Sequence, residues 1–338
     1  MSEPTYAANS GITRRTILTG FGIGAIAGFP IEAPRAAIVN LVALGKDGWL
    51  FPVWDDVRHA DIQKIRGMAR FVSDAVGVIK HANIEMAISI TPSKARVYRE
   101  FLPDDFKFSA DTDHRYAVAI EEYRRPGTLV PDLATNFANV RRAQPIEALF
   151  LKADTHWTAA GAEATAAEFA KEIKEKLRLS PSAMPGIQLG QPVSVLQEKN
   201  DLAELLPVAD RAKYPLQTYL IHKPVEAEEQ GALVADDTAD VVVIGNSYMQ
   251  PKYNFPAMLS NQLNRPVSLV WKVHQYGPYR TLLIYLASES FKRQRPKLII
   301  WNFEETDLEN LPDRRDAWGQ NAMPPQGFMA ELHRVLGA

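Results

Sequence analysis

Two short runs in this chain carry side chains that together could perform acyl transfer. One is Asp154-Thr155-His156-Trp157-Thr158, which puts an acid and an imidazole on one turn after an apolar segment. The other ends at Ser247, at the tip of Val241-Val242-Val243-Ile244-Gly245-Asn246. A hydroxyl, an imidazole and a carboxylate make an activated nucleophile: the imidazole takes the hydroxyl proton and the carboxylate orients the ring. Each run taken singly is weak. A strand ending in Gly-x-Ser also suits a phosphate-binding turn or a plain connection. An Asp-x-His pair also suits a capping Asp beside a surface His, or two ligands of a metal. The remaining histidines (His59, His81, His114, His222, His274 and His333) show no His-x-His or His-x-x-x-His spacing, so no metal site is expected. Trp157 suits core packing at least as well as a substrate platform.

Positioning these residues requires a scaffold, and the apolar pattern predicts an α/β one. Ile62, Ile65, Met68, Ala69, Val72 and Val76 recur at helical spacing and predict a helix over 61–80. A half-buried strand is expected over 84–90, stopped by Thr91-Pro92, with a short helix or turn over 94–99. A strand over 148–152 precedes Asp154, and Thr158 is a natural N-cap for an Ala-rich helix to 176. Residues 180–240 read as an insertion or cap, with β-like pieces at 193–195 and 218–221 and an acidic loop at 226–237. Strands over 241–244, 268–273 and 297–302 then alternate with helices over 255–263 and 281–292, and a short amphipathic helix ends the chain. Such alternation implies a mostly parallel sheet covered on both faces. Reactive residues in such sheets gather beyond the carboxyl ends of the strands, which would bring Asp154, His156 and Ser247 to one edge. The Ser247 N–H, near a helix start, would then serve an oxyanion hole.

Bulk composition narrows the class. With 338 residues the chain is long enough for one large α/β domain or two small ones. A formal net charge of -2 without basic blocks argues against nucleic acid; the pairs Arg124-Arg125 and Arg141-Arg142 read as solvated faces before they read as polymer-binding patches. The absence of cysteine excludes disulfides, thiolate catalysis and Cys-ligated metals. Near the start, Thr13-Arg14-Arg15-Thr16-Ile17-Leu18 leads into a Gly-rich apolar run with a small-residue cleavage pattern at Ala25-Ile26-Ala27. Export by a twin-arginine route is expected. Residues 1–35 are thus a signal, or an inner-membrane anchor if uncleaved, and 36–338 the functional domain.

The combination resembles a known family. Asp-Thr-His-Trp-Thr before a small-residue helix, followed by a strand ending in Gly-x-Ser-Tyr, is similar to the SGNH hydrolase-like, AlgJ/AlgX-like proteins of alginate O-acetylation. Gly45-Lys46-Asp47-Gly48-Trp49-Leu50-Phe51, the run from Pro92 to Tyr98, and Pro296-Lys297-Leu298-Ile299-Ile300-Trp301 add matches in the same order. In that family the acid–His pair precedes the Ser, as here. The resemblance implies an SGNH hydrolase-like three-layer fold with a mostly parallel central sheet and a β-rich or irregular insertion. It implies Ser247 as nucleophile, His156 as base and Asp154 as its orienter, with Tyr279 and Arg280 in a substrate-binding loop. Lys94 matches a loop lysine of the family, and Asn246 stands where ordinary SGNH esterases carry Asp. The activity implied is acetyl transfer, through a serine acyl-enzyme and without a cofactor, to hydroxyls of an alginate-like or cellulose-like exopolysaccharide in the periplasm. The acetyl donor would come from a membrane-bound acyltransferase partner. No carbohydrate-binding module is expected after the last core strand. A polysaccharide acetylesterase and a non-catalytic glycan-binding scaffold subunit stay open as alternatives.

Overall fold

The structure, a computed structural model, describes residues 38–125, 127–145, 147–225 and 239–337. The expected export signal and the acidic loop at 226–237 lie outside the described residues. All elements belong to one unit, Ala36–Ala338.

A small antiparallel sheet of β1 (Ile38–Val39), β2 (Val42–Leu44) and β3 (Leu50–Pro52) comes first. Helix α1 (Ile62–His81) is capped by Asp61, whose carboxylate accepts from the N–H groups of Gln63 and Lys64. Its apolar stripe buries Ile65, Met68, Val72, Val76 and Ile79. Next come β4 (Glu85–Thr91), α2 (Lys94–Val97), α3 (Ala110–Arg124), α4 (Leu133–Ala143) and α5 (Ala159–Lys176). The 180–240 insertion holds β5 (Leu189–Leu196), α6 (Asp201–Glu204), α7 (Val208–Arg211) and β6 (Thr218–Pro224), with β5 and β6 paired antiparallel. Beyond it lie β7 (Val241–Gly245), α8 (Phe255–Leu263), β8 (Val267–Trp271), α9 (Gly277–Leu286), α10 (Glu289–Arg293), β9 (Leu298–Glu304), α11 (Arg315–Trp318) and α12 (Pro325–Leu336).

The main sheet has the order β4-β9-β7-β8 and is parallel throughout. Side chains alternate across it. Val241 and Val243 join a core with α4, α5 and α8, whereas Val242 and Ile244 join a second core with α1, α3, α9 and α12. These are the three layers of the expected fold, and they bury β-branched residues on both faces of the central strands.

Three details differ from the sequence-based expectation. Strand β4 is buried at every position after Glu85, not half-buried, because helices cover both its faces. The helix expected over 281–292 is two: α9 begins earlier, at Gly277, and the Ser288 side chain starts α10 anew by accepting the Phe291 N–H. Most consequential, 148–152 is not a strand of the sheet. Phe150 makes a single antiparallel bridge with Trp157, closed by Leu151 N–H to the His156 carbonyl at 3.1 Å and Thr158 N–H to the Leu149 carbonyl at 2.9 Å. An apolar run buries equally well in a sheet or folded back on itself, so periodicity alone does not separate the two.

Candidate active site

Asp154 and His156 therefore sit on a tight, doubled-back loop at the start of α5, not at a strand end. Its foot is held by Gly161, where a Cβ would lie 2.4 Å from the Leu149 carbonyl oxygen. Ser247 does follow a sheet strand, β7, and opens the 3-10 turn Ser247–Met249. Two bonds staple the loop and the turn together: Trp157 Nε1 donates to the Tyr248 carbonyl, and Tyr248 Oη donates to the Thr155 carbonyl, each at 2.8 Å.

The staples bring three side chains into line. His156 Nδ1 lies 2.7 Å from Asp154 Oδ1, and its Nε2 lies 2.8 Å from Ser247 Oγ. The imidazole lies against Tyr253, with ring centroids 5.5 Å apart and planes inclined 22°. Asp154 Oδ1 also accepts the His156 N–H at 2.9 Å, and its Oδ2 accepts Gln197 Nε2 at 3.2 Å and the Asp201 N–H at 3.1 Å. Burial would push this carboxyl up, but the hydrogen bonds and charge of His156 and the backbone N–H groups outweigh it and hold Asp154 at about 2. Its neighbour Asp201 is pushed up, by burial and by the Asp154 charge, so Asp154 stays ionised longer as pH falls. Asp201 Oδ1 in turn accepts the Thr155 N–H at 2.6 Å.

Below the loop lies Lys94, buried, with Nζ donating to the carbonyls of Lys152 at 2.8 Å and Asp154 at 2.9 Å. Burial pushes its ammonium down to about 7 against the pull of Asp154, Asp201 and Asp55. Beside Ser247, Asn246 Oδ1 accepts the Tyr248 N–H at 3.1 Å while its Nδ2 donates to the Glu304 carboxylate at the end of β9. An Asp at 246 would offer Glu304 a like charge instead of a donor. Burial raises Glu304 to about 7. The Ser247 N–H stands at the first position of this turn, where a helical N–H has no partner from the turn itself.

Two predicted residues are not brought to this place. Tyr279 is a core side chain: it packs on Trp301 and Phe328, and its hydroxyl donates to the Asn310 carbonyl at 3.1 Å. A buried, bonded phenol has no face to offer a substrate. Arg280 is exposed on α9; the Glu331 carboxyl of α12 is held down chiefly by its hydrogen bond to Arg334, with Arg280 adding a smaller pull. Conversely Gln197, Asp201 and Glu304 were not read from the sequence; they reach the site only through the insertion and the end of β9, and no spacing announces them.

Among the described residues, two groups could offer ligand atoms to a cation, the atoms of each lying within 4.8 Å of one another: Asp154, His156 and Asp201, and His274, Glu304 and Asp307. In the first, both His156 nitrogens already have partners. In the second, burial opposes protonation of His274, but its 3.0 Å bond to Asp307 raises the ring to about 9.

Residues 42–305 match the family described as SGNH hydrolase-like domain, acetyltransferase AlgX. The chain belongs to this family. Among curated relatives, a probable alginate O-acetylase AlgJ of Pseudomonas syringae pv. tomato is 28% identical over 282 residues, covering 79% of this chain and 69% of its own. The alginate biosynthesis protein AlgX of Pseudomonas aeruginosa is 26% identical over 276 residues, covering 76% of this chain and 54% of its own. The solved O-acetyltransferase domain of Pseudomonas putida AlgJ matches with a TM-score of 0.67 and 25% identity, covering 87% of this chain and 99% of that domain. Pseudomonas aeruginosa AlgX, at TM-score 0.59 and 21% identity, shares the SGNH hydrolase-like fold.

Proposed function

We propose that this chain is an O-acetyltransferase that carries an acetyl group on Ser247 and delivers it to a polysaccharide hydroxyl. The carrying observation is the relay from Asp154 through both His156 nitrogens to Ser247 Oγ, with spacings of 2.7 and 2.8 Å. Its setting in a family whose relatives are named alginate O-acetylases supports the choice of reaction. With Nδ1–H donating to Asp154, the Nε2 lone pair faces the hydroxyl. Ser247 Oγ attacks the acetyl carbonyl as Nε2 takes its proton. Asp154 stabilises the imidazolium, and the Ser247 N–H steadies the oxyanion. His156 then gives the proton to the departing group, which leaves acetyl-Ser247. A sugar hydroxyl next gives its proton to Nε2, attacks the ester and regenerates Ser247. Water in the second step would make an acetylesterase; the relatives' names favour transfer.

The same reading places the work in the periplasm, on an exopolysaccharide, with a membrane-bound acyltransferase supplying the acetyl group. Residues 1–35 then act as export signal or anchor and 36–338 as the functional domain. Among the described residues no helix is long and apolar enough to cross a membrane.

The decisive experiment is acetyl release from a chromogenic acetate ester, with mass spectrometry of the Ser247 peptide. The wild-type chain should accumulate an acetyl mark on that peptide. Ser247→Ala should lose the mark and at least about 10³-fold in rate. Undiminished turnover in the variant sinks the proposal.

A further inference from the structure

The turn that presents Ser247 depends on a side-chain amide with two possible directions. Asn246 precedes the turn, its Oδ1 accepts the Tyr248 N–H at 3.1 Å, and its backbone carbonyl accepts the Met249 N–H at 3.0 Å. Tyr248 Oη in turn donates to the Thr155 carbonyl, next in the chain to His156. The set of the turn therefore decides where Ser247 Oγ stands against His156 Nε2. Rotated by half a turn, the Asn246 amide would present its NH2 to the Tyr248 N–H, donor against donor. Glu304 opposes that rotation. Its Oε1 accepts from Asn246 Nδ2, and an ionised carboxylate can only accept. Thr306 Oγ1 donates to its Oε2 at 3.4 Å, and the carboxylate is buried at the end of β9.

We infer that Glu304 is a positioning residue for the nucleophile: it locks the Asn246 amide, and the locked turn holds the Ser247 hydroxyl on His156. The inference rests on the acyl-transfer reading above and adds a residue that the reaction needs. Among the described residues no hydrogen bond joins Glu304 to Ser247 or His156, so its action runs through Asn246. The charged groups around it are His274 and Asp307, themselves joined at 3.0 Å, and Lys272, which lines the same small cavity as Asn246 and Glu304. Burial raises the Glu304 carboxyl to about 7, Asp307 adds to the rise, and His274, His156 and the Asn246 bond oppose it. Above that value the carboxylate is the acceptor that the Asn246 NH2 requires.

The test uses the full chain and 4-nitrophenyl acetate, whose nitrophenol burst gives the acylation rate and its saturation constant. Asn246→Asp sets two carboxyls against each other. A shared proton bridges them at low pH, so the loss should grow as pH rises and reach about 10- to 100-fold near pH 9, with the saturation constant unchanged. Glu304→Gln keeps the shape but frees the amide to turn, and should slow acylation about 3- to 10-fold. The double variant Asn246→Asp/Glu304→Gln rebuilds the pair with its polarity reversed, the Gln NH2 donating to the Asp. It should return to within about 3-fold of wild type. Protection of the Tyr248 N–H against hydrogen exchange should fall in each single variant and recover in the double. The inference is overturned by single variants that acylate as fast as wild type, by a double variant no faster than Asn246→Asp alone, by a raised saturation constant in place of slower acylation, or by unchanged Tyr248 protection. A burst that survives Ser247→Ala sinks the acyl-serine reading instead, and the exchange measurement still decides whether Glu304 holds the turn.

Discussion

His156 can serve as a base toward Ser247 only while its other nitrogen keeps the proton. In the proposed relay Asp154 holds that tautomer through its bond to Nδ1, and its second oxygen is fixed by Gln197 and the Asp201 N–H. Asp154→Asn preserves the shape but presents an amide that favours the wrong tautomer. Turnover should fall about 10³- to 10⁴-fold with little change in melting temperature. A drop of only a few-fold would show that the carboxylate does not orient the ring. Because Asp154 sits at about 2 against an ordinary 3.8, it stays ionised over the working range, and it stabilises the fold above pH 3.8. That contribution is lost as pH falls through 2. Asp201→Ala removes the acceptor of the Thr155 N–H and should loosen the loop, costing about 10- to 100-fold in turnover through misplacement of His156. Asp201→Asn keeps an acceptor oxygen and should cost less; the ratio of the two rates checks the positional role. At this scale the acid, imidazole and hydroxyl were legible because their types announce chemistry. Gln197 and Asp201 were not, since nothing in their types or spacing ties them to a carboxylate more than 40 residues earlier.

What carries these residues is a loop and a helix start more than a strand. The sequence-based expectation had the sheet deliver both halves of the relay, and this holds for Ser247 on β7 but fails for Asp154 and His156. Apolarity at Leu149, Phe150 and Leu151 reflects burial against α4 and α5, and burial leaves the hydrogen-bond partner undetermined. The sharper signals were local ones: Asp61 and Thr158 as caps, and the β-branched run of β7. Two further contacts support the loop, and each can be broken separately. Gly161→Ala drives a Cβ into the Leu149 backbone, which has no flexible end to yield. The start of α5 must shift, so stability should fall by about 1–3 kcal/mol, and turnover should fall further than the stability loss explains. Lys94→Met removes the donor shared by the Lys152 and Asp154 carbonyls. The Lys152 carbonyl keeps the Leu50 N–H at 2.8 Å, but the Asp154 carbonyl is left unpaired at a cost of about 1–3 kcal/mol, partly offset because a buried ammonium is itself unfavourable. Urea unfolding together with ester hydrolysis on each variant separates lost fold from lost alignment. A Gly161→Ala protein with wild-type turnover would show that the loop is placed by other contacts.

The three layers were legible as a whole from alternating apolar periods, but the ionic knot that ties them at the carboxyl edge of the sheet was not. Glu305, directly after β9, accepts from Arg96 of α2, from Arg115 of α3 and from the Ser93 N–H; Arg115 continues to Asp55 beside Trp54. These residues are scattered from 55 to 305, and each reads alone as an ordinary surface charge. The knot joins the turn that carries Asp55 and the helix that carries Lys94 to the end of β9. Burial pushes Glu305 up, but Arg115 and Arg96 outweigh it and hold the carboxyl at about 2, against 4.5 ordinarily. A depressed folded pKa stabilises the native state above pH 4.5, and the gain is lost as pH falls through 2; the difference amounts to about 3 kcal/mol. Glu305→Gln leaves two buried guanidinium groups short of charge and should destabilise by about 3–5 kcal/mol at pH 7. At pH 3.5 the unfolded wild-type chain already takes up the proton that its folded form still refuses, so the gap between wild type and variant should narrow by about 1 kcal/mol. Urea midpoints of both proteins at the two pH values decide it. A gap independent of pH would mean that Glu305 contributes shape to this edge and that its charge is compensated elsewhere.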